Sequence, residues 1–168
     1  QVCPTFGKIL VVAPSSDPNY DKLSQIVQAD PDGILRLYTT LASAYAAATT
    51  NANDVILLSA HSTHALTTGI AWTKNRIHVV GMDGGGRLVQ QGAKIEITGA
   101  VDSAYVLKIT GVRNSFVNLK IIQSSTHANA LTVVQEGGEG TLWQNCSMIF
   151  GVVNNLGGTT AHEILAGS

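Results

Sequence analysis

The sequence predicts an all-β protein wound as a right-handed parallel β-helix, a solenoid with a short N-terminal capping helix. Short apolar, β-rich runs recur from residue 55 onward, and Gly, Asn, Ser and Thr separate them. Similar runs return at a coil-sized period of roughly 20–30 residues, which is the pattern of a solenoid. Tight Asn-Gly or Asp-Gly turns are nearly absent, which disfavours an antiparallel sandwich or barrel.

Residues 1–36 are predicted to be an N-terminal extension. Its run "GKILVVA" is typical of a buried strand. The following "DKLSQIVQ" predicts a short helix with Leu23, Ile26 and Val27 on one face. We expect residues 1–30 to lie outside the solenoid and to act as a docking arm.

Residues 37–54 are predicted to be the capping helix and its linker. Thr39 or Thr40 has the side chain of a helix N-cap. The apolar residues that follow recur at i, i+3, i+4 and i+7, as on one buried helix face: Leu41, Ala44, Tyr45 and Ala48. No convincing helix follows this one, which disfavours alternating strand and helix layers.

Residues 55–168 are predicted to be the coils of the β-helix. The strand candidates are residues 55–58, 77–80, 94–98, 106–110, 116–122, 131–134, 142–150 and 161–165. Two similar runs each contain an asparagine, Asn118 and Asn145, and an asparagine repeated at a corner can form an amide ladder between coils. No cap is visible after "AHEILAGS", so we expect further chain, a partner or self-association to cover that end, with a homotrimer as the first expectation.

Composition excludes several classes of partner. The formal net charge is −1 and no basic stripe occurs, so the sequence carries no nucleic-acid footprint. The longest apolar runs are far too short to cross a bilayer, which argues against a membrane partner. Cys3 and Cys146 do not have the spacing of a metal pair and are predicted to be free thiols.

The histidines and the glycine-rich segment are the candidate sites for a metal or a phosphate. His61 and His64 in "HSTH" lack a third ligand nearby, so they are predicted to be solvated or corner histidines rather than metal ligands. His78 and His127 have no evident acid or nucleophile partner. "GMDGGGR" (residues 81–87) lacks the Lys-Ser or Lys-Thr of a phosphate-binding loop and is predicted to be a loop that leaves the solenoid.

A sugar-active enzyme would require carboxylates that face one bond. The acids of the coils before Glu163 show no clustered pair: Asp83, Glu96, Asp102, Glu136 and Glu139. Glu96 alternates with isoleucines and is expected to point outward. If Asp83, Asp102, Glu136 and Glu139 lay within reach of one calcium ion, an enzymatic or binding site would be supported. Four aromatic residues are candidate carbohydrate platforms on the outer face: Trp72, Trp143, Tyr105 and Tyr45.

Residues 37–165 resemble the start of a β-helix of the pectin-lyase-like type. The resemblance rests on the amphipathic helix, "NDVILL", "ALTTGIAWTKNRIHVVG" and the later "VNLKI". In that family an N-terminal helix caps the open end of the solenoid, and the polysaccharide lyases use an acidic cluster to hold calcium and a basic residue as base. No match to the catalytic motifs of its pectate lyases or polygalacturonases is found in this sequence.

More narrowly, "YTTLASAYAAAT" and "NDVILLSAHSTHALT" resemble β-helix proteins that tailed phages encode beside their capsid genes. This resemblance implies a structural virion protein, such as a capsid decoration or head fibre, that acts through self-association and contact with capsid proteins. It implies no enzymatic activity, no cofactor and no catalytic or metal residues. The alternative is an extracellular or secreted β-helix that binds or degrades carbohydrate, with surface glycans as partners, and a cell-surface adhesin is a third hypothesis.

Overall fold

A computed structural model describes residues 7–27, 33–60, 62–82, 93–151 and 160–164. Two short helices and fourteen strands lie within these ranges. In chain order they are β1 (Ile9–Val12), α1 (Tyr20–Ile26), β2 (Leu37–Tyr38), α2 (Leu41–Ala47), β3 (Asp54–Leu58), β4 (Thr63–Ala65), β5 (Ile70–Trp72), β6 (Ile77–Gly81), β7 (Ala93–Gly99), β8 (Leu107–Ile109), β9 (Ser115–Val117), β10 (Leu119–Ser125), β11 (Thr132–Glu136), β12 (Leu142–Gln144), β13 (Ser147–Phe150) and β14 (Thr160–Ile164).

The strands form three parallel sheets, which confirms the predicted parallel β-helix. Sheet A has the order β12-β9-β6-β3-β1-β2, sheet B the order β13-β10-β7-β4 and sheet C the order β14-β11-β8-β5. Each coil contributes one strand to each sheet, so four coils follow one another as β3–β5, β6–β8, β9–β11 and β12–β14. Residues at equivalent positions of adjacent coils are separated along the sequence by the length of one coil. This separation is 27 residues between Asn118 and Asn145 and 37 residues between Ile77 and Asn114.

The longer spacing includes the glycine-rich segment predicted to leave the solenoid. Most of that segment lies outside the described residues, but Gly81 ends β6 inside the fold. A Cβ at Gly81 would collide with the carbonyl oxygen of Asn118, so this corner requires glycine. The loop itself stays a prediction.

The core consists of inward-facing residues that stack from coil to coil. The strands alternate buried and half-buried positions, as in β3 and β6. A row of aromatic rings runs through this interior, with Tyr45 stacked on Trp72 at 4.1 Å, Trp72 against Phe116 at 5.3 Å and Phe116 on Trp143 at 4.4 Å between centroids. Trp72 is fully buried and Tyr45 nearly so. The expectation that these two rings are carbohydrate platforms on the outer face is therefore wrong, and Trp143 also packs against the core.

The predicted asparagine ladder is confirmed. Asn118 and Asn145 both have left-handed backbone, with φ of 56° and 50°, between their sheet A and sheet B strands. The Asn145 Nδ2 donates to the Asn118 Oδ1 at 2.7 Å. Asparagine tolerates this conformation better than most residues, and its amide then joins one coil to the next.

The predicted capping helix is also confirmed. Thr40 is the N-cap of α2, and its side chain accepts from the Ser43 N–H at 3.2 Å. Leu41, Ala44 and Tyr45 of the predicted apolar face are buried. At the other end of the helix, the Lys74 ammonium donates to the carbonyl oxygens of Tyr45, Ala46 and Ala48 at 2.7–2.8 Å. The last carbonyls of a helix lack the usual N–H partner four residues on; of these three, only that of Tyr45 also accepts a backbone N–H from a described residue, Ala48 at 3.3 Å, so the lysine supplies donors that the helix end lacks.

The N-terminal segment differs from its prediction. The run "GKILVVA" is a strand as expected, but β1 pairs in register with β3 and adds a strand to sheet A. Residues Ile9–Val12 therefore belong to the solenoid, and the prediction that residues 1–30 lie outside it is wrong for this strand. The short helix exists as α1, yet it buries none of its residues, and Ile26 is 76% exposed.

The C-terminal end of the solenoid is apolar and uncovered in the described part of the chain. Leu142 and Ile149 of the last coil are exposed, and Ile164 is 80% exposed. Cys146, in the same coil, is a half-buried free thiol whose pKa is raised by burial, whereas Cys3 lies outside the described residues. None of the described helices is long and apolar enough to span a membrane.

Candidate functional site

One corner of the solenoid repeats an unusual backbone conformation in four successive coils. Asn53, Arg76, Arg113 and Gly140 have φ of 59°, 55°, 57° and 67°. The register of sheet A makes them equivalent, because Asp54 pairs with Ile77, His78 with Ser115 and Ser115 with Leu142. Each therefore occupies the same corner position just before its sheet A strand.

Asparagine and glycine are the residues that adopt left-handed backbone most readily, and they occupy the two outer positions of this column. Arginine has no such advantage, and each one in this conformation costs about 1–2 kcal/mol. Arg76 and Arg113, called the arginine pair below, thus occupy a position for which their backbone is poorly suited. Strained residues of this kind occur preferentially at functional sites.

The arginine pair borders a cavity of about 280 Å³, which is also lined by Asn51, Val112, Glu139 and Gly140. Arg113 is exposed and Arg76 is half-buried. Within the described part of the chain, neither guanidinium makes a hydrogen bond or an ion pair, although Glu139 lines the same cavity. The Arg113 side chain lies over Gly140, with its Cγ 3.6 Å from where a Cβ would stand.

The arrangement is suited to an anion. Successive coils of a parallel sheet are about 4.8 Å apart, so the two arginines present their side chains from neighbouring levels of one corner. Each guanidinium has five N–H donors in a planar fork that matches a carboxylate or sulfate. Sequence reasoning missed this pair. The signal was present in "NRIH" and "VRNS", where an arginine occupies the same corner position in two coils.

His78 and Ser115 lie two residues beyond the arginine pair. The His78 Nδ1 and the Ser115 Oγ are 2.7 Å apart on the outer face of sheet A, so the expectation that His78 lacks such a partner is wrong. The two residues also face each other in the register of β6 and β9. β9 pairs with a strand on each side, so its backbone N–H groups are occupied by the sheet and are not free to form an oxyanion hole.

His127 also has an acidic partner that the sequence did not reveal. Its Nδ1 lies 3.3 Å from the Asp102 Oδ1, and the Asn129 Nδ2 donates to that same oxygen at 2.8 Å. Asp102 and Asn129 are 27 positions apart, in loops of adjacent coils that the solenoid stacks on each other. Asp102 is 65% exposed, so this group is a surface contact between loops.

His64 is inside the solenoid rather than solvated or at a corner. Its side chain is buried in β4, and its Nε2 lies 3.2 Å from the Ser59 carbonyl oxygen. Burial lowers the pKa of His64, against the opposing influence of nearby Asp17, whose carboxylate accepts from the Ser62 hydroxyl. No group of three potential metal-binding side chains occurs among the described residues, and His61 lies outside them.

The carboxylates considered for calcium binding are separated from one another. Glu136 points into the last coil, where its Oε2 accepts from the Trp143 Nε1 at 2.9 Å and lies 2.8 Å from the His162 Nε2. Glu139 lines the corner cavity and Asp102 contacts His127, so these three acids form no cluster. Asp83 lies outside the described residues.

The remaining candidates are surface features. Glu96 faces outward as predicted and forms an ion pair with Lys94 at 3.6 Å. Glu163 accepts a hydrogen bond from the Gln135 Nε2 at 2.9 Å. Tyr105 is half-buried, and its carbonyl oxygen lies close above Gly69, so its loop packs against the solenoid.

Comparison with known proteins supports the fold. No protein-family model matches the chain, and no curated protein matches it. Among solved structures, the chain is similar to a pectin methylesterase, a D178A mutant in complex with hexasaccharide IV, with a TM-score of 0.57 and 17% identity. The match covers 94% of this chain and 49% of the other, so this chain spans about half the length of that protein. The chain thus has the parallel β-helix fold of the pectin-lyase-like type.

Proposed function

We propose that this protein binds an anionic polysaccharide at the corner formed by the arginine pair, without cleaving it. The observation that carries the proposal is that two strained arginines line one cavity from adjacent coils, and that neither guanidinium has a hydrogen-bond or ion-pair partner among the described residues. If these positions served only to form the corner, asparagine or glycine would suffice, as in the flanking coils. The ligand then supplies the carboxylate or sulfate partner that the guanidiniums lack.

The fold supports a carbohydrate ligand in preference to a small anion. A solenoid offers a straight, rigid outer surface along which an extended chain can lie. The structural neighbour named above carries a hexasaccharide on a β-helix of the same type. Because the contacts are exposed and charged, we expect binding to weaken steeply as salt is added.

We propose binding rather than catalysis because the described acids do not converge. Cleavage of a glycosidic bond by hydrolysis uses two carboxylates that flank it. Here Asp102, Glu136 and Glu139 lie in three separate places. Incubation of the protein with polygalacturonate should therefore release no new reducing ends, no unsaturated products and no methanol from its methyl ester.

The test replaces the arginine pair with the residues of the flanking coils, Arg76→Asn with Arg113→Gly. Binding of a polygalacturonate hexasaccharide, measured by calorimetry at low salt, should fall at least about 10-fold, since two charge-assisted contacts are lost. The matched control is Lys108→Gln with Lys120→Gln, which removes the same charge from sheets C and B. An equal loss in both double variants would mean non-specific attraction and would contradict the proposal.

A second candidate is the assembly role predicted from the sequence. It is favoured by the exposed apolar residues of the last coil, Leu142, Ile149 and Ile164. In this case the protein is a virion component that associates with itself or with capsid proteins through that end. Proteomics across a density gradient of particles from the source would test it, because a virion protein tracks with the major capsid protein at fixed stoichiometry. Recovery in the soluble fraction alone would reject this role.

A further inference from the structure

The arginine pair is one row of a larger polar array on the outer side of sheet A. Each arginine is followed by a buried residue, Ile77 or Asn114, and then by an outward residue, His78 or Ser115. His78 and Ser115 therefore form a second row, two residues further along the same strands. The rows are about 6.5 Å apart and the coils about 4.8 Å apart, so the array has roughly the dimensions of one sugar residue.

The array is confined to the second and third coils. The positions equivalent to His78 and Ser115 in the flanking coils are Val55 and Leu142, both apolar. The corner positions of those coils likewise lack charge, as Asn53 and Gly140. Four polar side chains thus form a compact patch, which the apolar Val55 and Leu142 border in one row and the uncharged Asn53 and Gly140 border in the other.

The second row retains a free polar atom. The Nδ1 of His78 forms a hydrogen bond with the Ser115 hydroxyl at 2.7 Å. The Nε2 of His78 makes no hydrogen bond in the described part of the chain. Burial lowers the pKa of His78, which favours the neutral form of the ring. A neutral imidazole has one donor and one acceptor nitrogen, so Nε2 remains available to a ligand hydroxyl in either tautomer.

We propose that His78 and Ser115 are specificity-determining residues that bind a sugar hydroxyl next to the acidic group held by the arginine pair. The site is then selective for one acidic sugar residue, with its charge at the corner and its neighbouring hydroxyl on the strands. This inference rests on the proposed function and names the feature of the ligand that the protein reads. A simple anion satisfies the first row alone and gains nothing from the second.

The experiment compares two probes on one set of variants. The double variant His78→Val with Ser115→Val gives the second row the apolar character of the flanking coils, so it should fold. Its affinity for a polygalacturonate hexasaccharide should fall about 10-fold, as expected for lost hydrogen bonds to a ligand, while its affinity for inorganic sulfate should change less than about twofold. Ser115→Ala, which removes only the hydroxyl, should show a smaller loss for the hexasaccharide alone. Thr63→Val, on the outer side of sheet B, is the matched control.

The outcomes separate the two proposals. If the hexasaccharide binds equally well to the wild type and to the His78/Ser115 variant, while the arginine variant has lost it, the second row is not a recognition element. If sulfate and hexasaccharide weaken in parallel in the His78/Ser115 variant, the residues only support the arginine pair, and the inference is again rejected. If the wild type binds neither probe, the proposed function fails and this inference fails with it. Selective loss of the hexasaccharide supports both.

Discussion

The two ends of the solenoid are built differently. At the N-terminal end, α2 covers the first coils, and Lys74 supplies donors to three carbonyl oxygens at the end of that helix. At the other end the inward positions are occupied by Trp143, Glu136 and His162, and Ile164 is 80% exposed. We therefore expect the stability of this fold to be unequal along its axis. The ends of a solenoid contact only one neighbouring coil, so a cap matters more than it would in a globular core.

The largest effect should come from removing an aromatic ring near the cap. Trp72→Ala deletes a fully buried side chain between Tyr45 and Phe116. We expect it to lower the free energy of unfolding by about 3–5 kcal/mol, as for other buried tryptophans. Trp143→Ala, near the open end, should cost about half as much. Urea denaturation of both variants would measure the ratio, and equal losses would remove the distinction between the two ends.

The next effect concerns the lysine that completes the cap. Lys74→Met keeps the length of the side chain but removes the ammonium that donates to the carbonyl oxygens of α2. We expect a loss of about 2 kcal/mol, because those half-buried carbonyls lose charged donors. Lys108→Met, on the outer face of sheet C, is the control and should change stability little. A thermal melt in which both variants match the wild type would argue against a role for Lys74 in the cap.

A smaller effect should appear when the pH is lowered. Burial depresses the pKa of His64 in the folded protein below its unfolded value of about 6.5, so the unfolded chain binds protons more readily. The contribution of His64 to the free energy of unfolding is therefore fully present above about pH 6.5 and is lost as the pH falls below that value. His64→Leu should flatten the dependence of the urea midpoint between pH 7.5 and 5.5. His78→Val, measured beside it, should act in the same direction because burial lowers that pKa as well.

The smallest effect should be a gain in stability. Arg76→Asn with Arg113→Gly relieves two residues of left-handed backbone that suits neither of them. We expect the free energy of unfolding to rise by about 1 kcal/mol, because the greater backbone freedom of glycine in the unfolded chain offsets part of the relieved strain, and we expect the variant to lose its anionic ligand. Differential scanning calorimetry without ligand would measure this. A clear loss of stability would mean that the arginine side chains support the fold, and the argument from strain would no longer hold.

Much of the fold was predictable because its signals are local. Thr40 and the apolar spacing of Leu41, Ala44 and Tyr45 determine α2 within one short segment. The asparagine ladder followed from two similar runs, since Asn118 and Asn145 occupy equivalent corners. In both cases the residue type has a strong intrinsic preference for the conformation it adopts.

The features that were missed depend on distant parts of the chain. β1 joins β3 across 46 residues, as the contact between the Lys8 N–H and Asp54 shows, and no local pattern indicates this pairing. The inward direction of Trp72 depends on which side of its short strand faces the core, which alternation in three residues does not determine. The arginine pair was missed because arginine has no preference for left-handed backbone, so its position at a corner is visible only through the register of the sheets.

The unequal coil lengths have a consequence for how this protein can vary. Equivalent residues are 27 positions apart in one pair of coils and 37 in another, yet the strands on both sides keep an unbroken parallel register. The additional length falls between β6 and β7, where the chain passes from sheet A to sheet B. Because the strands on both sides keep their register, we expect that peptides inserted between β6 and β7 leave the strand pairing unchanged. We therefore expect sequence and length to vary there, in nature or by design, while the scaffold stays the same.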